Sequence, residues 1–323
     1  MKKLPKTLIE LTHILSDLAY HDGDTIGQKL GITRSAVWKA IKKLEEYGTK
    51  IDSIKGKGYA LSEPLLLLDE HLIQQGVPHK NITIEVFESL ESTNSYLKGF
   101  VGNITPRVCI AEYQTQGRGR LNRRWYSPFG KNIYLSILYP FEKDMSELVG
   151  LSTIVSLAIV DALQDLQLAQ QIFLKWPNDI IVKQKKLSGS LIEIISEANG
   201  LSYAIIGIGL NVNMINDDNH INQSWTSLKQ LLNQDVDRNK LCISLINSLT
   251  TYLKKFNQEG FNPFKTEWEQ RDMLLNKKVK LVSGNNIISG YGRGINNQGN
   301  LMLEVEKGYI KPFSSGDTTI IKE

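Results

Sequence analysis

Nine consecutive residues constrain this chain more than any others: Gly117-Arg118-Gly119-Arg120-Leu121-Asn122-Arg123-Arg124-Trp125. Four of the chain's 9 Arg fall within seven positions here, although Lys outnumbers Arg 29 to 9 overall. A merely soluble loop would follow that bias and carry Lys. Arg is required where a planar fork grips phosphate or carboxylate oxygens through two parallel hydrogen bonds. Gly117 and Gly119 lack the Cβ atoms that would hold backbone N–H groups away from such an anion. The stretch therefore reads as an anion-gripping loop between strand-like segments at 108–113 and 133–139.

A chain of 323 residues should form two or three domains, and 41% apolar with 22% charged residues is ordinary for a globular protein. No apolar run approaches the roughly 20 residues of a membrane span, and the N-terminus has no signal-peptide core. The two cysteines, Cys109 and Cys242, are too few and too far apart for a disulfide framework, and the five His show no ligand spacing. A reducing, cytoplasmic location is expected.

Charge is localised. Residues 1–62 hold 11 Lys/Arg against 7 Asp/Glu, which accounts for the whole net charge of +4; the remainder holds 27 of each sign. A nucleic-acid footprint would sit in that first fifth. Leu8, Leu11, Ile14, Leu15 and Leu18 recur at helical spacing, Asp24-Thr25 can cap a second helix, and Gly31-Ile32 makes a tight turn. Thr33 then caps a third helix running to about Tyr47, with Val37, Ile41 and Leu44 as its buried stripe. This is the helix-turn-helix pattern, whose second helix enters the DNA major groove. The exposed side keeps Arg34, Ser35, Lys39, Lys42 and Lys43 beside Thr33, and Lys55-Gly56-Lys57-Gly58 reads as the tip of a hairpin wing. A helical protein-docking module with a solvated basic face is the alternative.

Pro64 marks a boundary, so the domains are expected at 1–63, 64–272 and 273–323. The central part alternates strands (82–87, 108–113, 133–139, 172–176, 180–182, 187–195, 203–210) with a long amphipathic helix over 145–168 and another over 238–258. Asn199-Gly200 reads as a hairpin turn. From 277 onward, short strands alternate with Gly/Asn turns, suggesting a small β-barrel. The expected class is α+β, with a mixed sheet covered by helices and no internal repeat.

Several central segments belong beside the Arg loop. Ser92-Thr93-Asn94 offers hydroxyl and amide groups in both senses, though it is also an ordinary helix N-cap. Lys175-Trp176-Pro177-Asn178-Asp179 brings a cation, an amide and a carboxylate to a strand end. Lys185-Lys186-Leu187-Ser188-Gly189 starts the next strand, although a Lys pair is usually a solvated turn. Gly207-Ile208-Gly209-Leu210-Asn211 ends a strand with two backbone-accessible positions. It lacks dinucleotide-fingerprint spacing, and no Walker-type loop is present.

In this order, Ser-Thr-Asn, Gln-Gly-Arg-Gly-Arg, Lys-Trp-Pro-Asn-Asp, Lys-Leu-Ser-Gly and Gly-Ile-Gly-Leu-Asn resemble the bacterial biotin–protein ligases. With the winged helix in front, the resemblance is to the bifunctional subgroup that also represses the biotin operon. It covers essentially the whole chain. The resemblance implies a central domain related to class II aminoacyl-tRNA synthetases and a C-terminal SH3-like barrel. It implies that Ser92, Thr93, Asn94 and Gln114 hydrogen-bond the ureido head of biotin. Arg118, Gly119 and Arg120 would hold the phosphate and carboxylate end, and Lys186 would contact the carboxylate and α-phosphate. Gly189, Gly207 and Gly209 would line the biotin slot, with Trp125, Asn178, Asn211 and Trp225 on the nucleotide side. Ser188 and Ser190 depart from the small or apolar residues expected there, which would make the slot wall more polar.

The implied substrates and partners are biotin, ATP with Mg²⁺, a biotin carrier protein and operator DNA, with a homodimer forming in the adenylate-bound state. The chemistry suits the residue types. A carboxylate attacking the α-phosphate needs cations to neutralise the developing charge, which Arg118, Arg120, Lys186 and Mg²⁺ would share. The mixed anhydride so formed must be kept from water by a closing loop. The carrier lysine must then lose a proton, for which Asp179 is the candidate base. The run Ile215-Asn216-Asp217-Asp218-Asn219-His220 is polar and poor in core formers, so it is expected to be mobile until the adenylate orders it. Two alternatives are a regulator that only senses the ligand, which losing Lys186 or Arg118 would have favoured, and a protein whose Arg loop grips nucleic acid. Residues 63–323 are neutral overall, which weighs against the second.

Overall fold

Two short polar side chains open the helices of the N-terminal module. Asp22 accepts from the backbone N–H groups of Asp24 and Thr25, so that helix starts just ahead of the expected Asp24-Thr25 cap. Thr33 accepts from the N–H of Ala36, as its position predicts. The structure, a computed structural model, describes residues 2–3, 5–166, 168, 171–196, 201–216, 220–306 and 308–321. The module comprises β1 (Lys2–Lys3), α1 (Lys6–Leu15), α2 (Gly23–Leu30), α3 (Arg34–Glu46) and the wing hairpin β2 (Ile51–Ile54) and β3 (Gly58–Leu61). Gly31 ends α2 at φ 65°, a left-handed position that suits glycine. Leu11, Leu15, Ile26, Val37, Ile41 and Leu44 form the module's core, which continues through Leu65 and Leu67 onto Phe129 of the central domain.

The central domain follows with α4 (Glu70–Gly76), β4 (Thr83–Ser89), α5 (Thr93–Leu97), β5 (Arg107–Ala111), β6 (Ile133–Phe141) and α6 (Leu151–Ala162). It continues through β7 (Ile172–Lys175), β8 (Asp179–Val182), β9 (Lys185–Ser196), β10 (Ser202–Leu210), α7 (Leu228–Leu232), α8 (Arg238–Glu259) and α9 (Lys265–Glu269). The sheet order is β1-β4-β5-β6-β10-β9-β8-β7. Only β4 and β5 run parallel, so the sheet is mixed, as expected. β1 belongs to this sheet although its residues precede the winged helix, because it pairs with the edge strand β4. The Asn199-Gly200 turn lies outside the described residues.

The helix expected over 145–168 is broken. A 3-10 turn at Met145–Leu148 is followed by Gly150 at φ 87°, and only then does α6 begin. Nearly every residue of α6 is buried rather than one face of it, because α8 packs against it on one side and β9 on the other. A helix apolar all round has no polar stripe to mark its period. No helix among the described residues is long and apolar enough to cross a membrane.

The C-terminal domain is a five-stranded antiparallel sheet. Its strands are β11 (Lys278–Ser283), β12 (Asn286–Ile295), β13 (Leu301–Glu306), β14 (Tyr309–Phe313) and β15 (Asp317–Ile320), in the order β14-β13-β12-β11-β15. It docks through Trp176, which is 2% exposed. The Trp176 indole N–H donates to the carbonyl of Gly299 at 3.0 Å, and the Thr318 hydroxyl donates to the Trp176 carbonyl at 2.8 Å. That contact lies two residues from Asn178, at the edge of the cleft described next.

The connection from winged helix to central domain is fastened by a buried ion pair. Arg238 at the start of α8 and Glu112 after β5 are 2% and 0% exposed and 2.6 Å apart. Arg238 also donates to the carbonyl of Leu66, while Glu112 accepts the N–H of Leu68. Removing either partner would strand the other charge in the interior, at a cost of about 3–5 kcal/mol.

Candidate active site

A cleft of about 560 Å³ opens where the first half of β9 lies beside the C-terminal end of β10, and is closed on one side by the Arg loop. Its inner end is built on α5. Ser92 caps that helix by accepting from Ser95 N–H, and so delivers Thr93 and Asn94 side by side on the first turn. Thr93 N–H donates to Gln114 Oε1 at 2.9 Å, and Gln114 Nε2 donates to Ser127 Oγ at 3.2 Å. Ser136 of β6 lies 2.7 Å from Thr93 Oγ1 and 2.6 Å from Asn94 Oδ1. Asn94 stands over Gly207, where an added Cβ would come 2.3 Å from its Oδ1. A Cβ at Gly209 would meet the Trp125 ring at 2.2 Å. Both glycines are therefore required for side chains to cross the strand, which is the close approach their pattern suggested.

The outer end is cationic. Arg118 donates to Ser95 Oγ at 2.8 Å, and its backbone bridges to Arg124 across the loop. Arg120 donates to Asn178 Oδ1 at 3.3 Å and to the carbonyl of Gly316 at 3.1 Å. Burial pushes the Arg120 guanidinium below its ordinary value, opposed by the carboxylates of Asp317 and Asp179. Lys186 Nζ lies 2.7 Å from Asp179 Oδ1 and 5.5 Å from the Trp125 ring centroid. A Cβ at Gly189 would come 2.9 Å from Lys186 Nζ, so this glycine gives the lysine its passage into the cleft. Behind Asp179, burial lowers the pKa of Lys175, with Asp179 opposing the shift.

The cleft brings together most of the central residues singled out from the sequence: Ser92, Thr93, Asn94, Gln114, Arg118, Gly119, Arg120 and Trp125 from the first half of the domain. Asn178, Asp179, Lys186, Gly189, Gly207, Gly209, Asn211 and Trp225 join them from the second. Two buried polar atoms of residues on its wall, Trp125 Nε1 and Ser190 Oγ, have no hydrogen-bond partner among the described residues. Trp225 pairs through its backbone with Lys186, and Asn211 Nδ2 donates to the carbonyl of Thr226 at 3.0 Å, so segment 224–226 forms a wall. The His220 ring packs tilted against Tyr126, with centroids 4.7 Å apart. Asp217, Asp218 and Asn219 lie outside the described residues.

Some expectations are corrected. Gly117 does not line the cleft; a Cβ there would sit 2.6 Å from the Trp125 carbonyl, so this glycine serves the neck of the loop. The Gly119 N–H donates to the Arg123 carbonyl at 2.7 Å and is not offered to an anion. Ser188 is fully buried and donates to the Gly209 carbonyl at 2.8 Å, which leaves Ser190 as the added polarity of the wall. Leu121 holds φ 53°, a left-handed conformation that costs a branched residue roughly 1–2 kcal/mol and is sustained by the hydrogen bonds on either side.

Residues missed from the sequence are Ser136, Ser127, Glu193 and Asp317. Asp317 comes from β15, pairs with Arg123, and lies 3.8 Å from Arg120. The C-terminal domain thus supplies a carboxylate to the Arg loop from almost 200 residues away.

On α3, Arg34, Ser35, Lys39 and Lys42 are exposed on one side, as are Thr33 at the cap and Lys55 and Lys57 on the wing. Arg34 pairs with Asp24 at 3.2 Å and Lys42 with Glu45 at 2.6 Å. Trp38, 51% exposed, stands one turn from both Arg34 and Lys42 and went unremarked in the sequence. Lys43 is corrected: it pairs with the fully buried carboxylate of Glu88 in the central sheet and is not offered to solvent with the others. Glu88 also accepts from the Tyr47 hydroxyl at 2.6 Å, and Tyr47 stacks on Phe129 at 4.3 Å.

Residues 86–211 match the Biotin/lipoate A/B protein ligase family, residues 10–60 an HTH domain, and residues 274–318 the Biotin protein ligase C terminal domain. The chain is 37% identical over 319 residues to Bifunctional ligase/repressor BirA of Salmonella typhimurium, covering 98% of this chain and 97% of that one. It is 36% identical over 314 residues to the protein of the same name from Escherichia coli, covering 97% and 96%. Among solved structures, the biotin protein ligase from Aquifex aeolicus in complex with biotin and ATP superposes with a TM-score of 0.64 at 30% identity, over 75% of this chain and 99% of that one.

Proposed function

The chain belongs to the family of bifunctional biotin–protein ligase/repressors, and from that premise we propose how its cleft performs the reaction. The protein activates biotin with ATP to biotinyl-5′-AMP, transfers biotin to a lysine of a biotin carrier protein, and represses transcription through its N-terminal winged helix. The observation that carries the assignment of roles is one cleft joining a neutral, directional hydrogen-bonding end to a cationic end. Thr93, Asn94 and Gln114 present the donors and acceptors that a ureido head needs. Arg118, Arg120 and Lys186 face the position where the carboxylate meets the α-phosphate.

In the first step the biotin carboxylate oxygen attacks the α-phosphorus and pyrophosphate leaves. Charge accumulating on the phosphoryl oxygens is neutralised by groups already in place, which is where preorganised charge lowers a barrier most. Trp125, Asn178, Asn211 and Trp225 flank the nucleotide. In the second step a carrier lysine attacks the acyl carbon and AMP leaves. Asp179 accepts the proton that amine must lose, once the incoming anions draw Lys186 away from it.

Mg²⁺ belongs to the substrate in this reading. Asp179 and Asp317 are both engaged by cationic side chains, and the described residues hold no cluster of three metal-ligating groups. No step is therefore routed through a resident ion. Operator binding by two winged helices requires a two-fold pair, and we assign that pair to the adenylate-bound homodimer.

The test is to mix the protein with biotin, MgATP and a biotin carrier domain. Pyrophosphate release without carrier, followed by a mass increase on the carrier when it is added, supports the reading. No pyrophosphate from folded protein would overturn it.

A further inference from the structure

Glu193 lies outside the cleft, yet it dictates what the inner end of the cleft can recognise. Asn94 is a side-chain amide, and which of its two ends faces the ligand decides whether it donates or accepts. Its Nδ2 donates to Glu193 Oε2 at 3.0 Å and to the carbonyl of Leu191 at 3.3 Å. Both partners are pure acceptors, so both amide protons are used and the orientation is fixed. Lys98 holds the other Glu193 oxygen at 2.7 Å. Burial would raise the Glu193 carboxyl, but the hydrogen bonds from Lys98 and Asn94 outweigh it and keep the group below the ordinary glutamate value.

The consequences run along a chain of buried hydroxyls. With Nδ2 turned to Glu193, Oδ1 faces Ser136, which must donate to it at 2.6 Å. Ser136 has one proton, so at its 2.7 Å contact with Thr93 it must accept, and the Thr93 hydroxyl donates there in preference to Gln114 Oε1, which is farther at 3.2 Å. Gln114 is fixed independently, because the Ser127 hydroxyl donates to the Trp125 carbonyl and leaves its oxygen to accept from Gln114 Nε2. What remains of Asn94 for a ligand is the second lone pair of its Oδ1, beside Gly207.

We infer that Glu193 is a positioning residue for ligand specificity: it turns Asn94 into an acceptor that selects an N–H at one edge of the ligand head. The inference rests on the biotin reading above, where that edge is a ureido N–H. Replacing the carboxylate by an amide reverses the chain. In Glu193→Gln, Lys98 takes the amide oxygen, the new NH₂ faces Asn94 donor to donor, and Asn94 rotates, giving up its longer 3.3 Å bond to the Leu191 carbonyl. Its NH₂ then faces the cleft, and Ser136 donates to Thr93 instead.

The test measures binding of biotin and of the two cyclic carbamates in which one ureido N–H is replaced by oxygen. Wild type, Glu193→Gln, Lys98→Met and the double variant are compared by calorimetry. Wild type should prefer biotin over the carbamate whose ring oxygen faces Asn94. In Glu193→Gln that preference should fall by about tenfold or more, the equivalent of one hydrogen bond changed in sign. The other carbamate should keep its ratio. Lys98→Met keeps the acceptor and should retain the wild-type preference. In the double variant the new amide is free to turn its oxygen to Asn94, so the preference should return. Equal weakening of all three ligands in Glu193→Gln, or no recovery in the double variant, overturns the inference. Wild-type protein that binds no biotin would instead overturn the ligase reading on which it rests.

Discussion

Lys186 Nζ sits 2.7 Å from Asp179 Oδ1, so the cleft's central cation and its candidate base are bonded to each other. Neither can do its work while that bond persists. If anionic substrate or adenylate draws Lys186 away, Asp179 becomes available as the base for transfer. Asp179→Asn should therefore slow transfer to the carrier about tenfold or more beyond any effect on adenylate formation. Single-turnover pyrophosphate release and carrier biotinylation separate the two steps. Equal slowing of both would move Asp179 to the ATP side of the reaction.

Arg120 makes three contacts at once, to Asn178, to Gly316 and, at 3.8 Å, to Asp317. A lysine cannot span them, because an ammonium is a point charge rather than a fork. Arg120→Lys should release the adenylate faster, with a loss of roughly 1.5–3 kcal/mol for one charge-assisted bond. Asp317→Asn should loosen the same loop by a smaller amount, since Arg120 keeps the Gly316 carbonyl. Adenylate dissociation followed by gel filtration checks both. Wild-type retention in Arg120→Lys would show that the fork braces the loop and does not hold the adenylate.

Much of this site was legible because its signals are local. Thr33 and Ser92 announce helix starts within three residues of themselves, and the Arg loop is contiguous. Gly207 and Gly209 were visible as a pattern, but the side chains they admit, Asn94 and Trp125, were not. Ser136, Leu191 and Gly207 meet only because the β6-β10-β9 register aligns them, and register is not printed in any one strand. Lys42 and Lys43 look alike in sequence. One is exposed and the other is turned to Glu88 only because the central domain sits behind α3. Asp317 was hidden for a similar reason, since a carboxylate in a C-terminal strand carries no mark of the loop it will reach.

The difference between Lys42 and Lys43 is measurable. Lys43→Met leaves the fully buried Glu88 carboxylate with only the Tyr47 hydroxyl, and should destabilise the protein by about 3 kcal/mol. Lys39→Met and Lys42→Met should leave thermal unfolding nearly unchanged. Each should instead reduce the slope of log K against log salt for operator binding by about 1, as expected for one lost phosphate contact. A salt slope altered by Lys43→Met at unchanged stability would return Lys43 to the DNA face.

Ligand and dimer should be linked through segment 220–228. Its backbone pairs with Lys186 at Trp225, and its His220 packs against Tyr126, so a ligand filling the cleft would touch the segment from His220 to Trp225. Ile215, just before it, is 56% exposed and offers apolar surface that the monomer does not cover. If the adenylate fixes this segment in a conformation that also contacts a second copy, binding and dimerisation share free energy and each must strengthen the other equally. A coupling of about 3 kcal/mol would strengthen the dimer about 150-fold, enough to separate monomer from dimer at one protein concentration. Surplus unmodified carrier would consume the adenylate and return the protein to monomer, so repression would track biotin sufficiency. Sedimentation velocity with biotin and MgATP should show the shift, and Ile215→Ser should weaken it without slowing pyrophosphate release. A dimer equally strong with and without ligand would remove the linkage while leaving the ligase chemistry untouched.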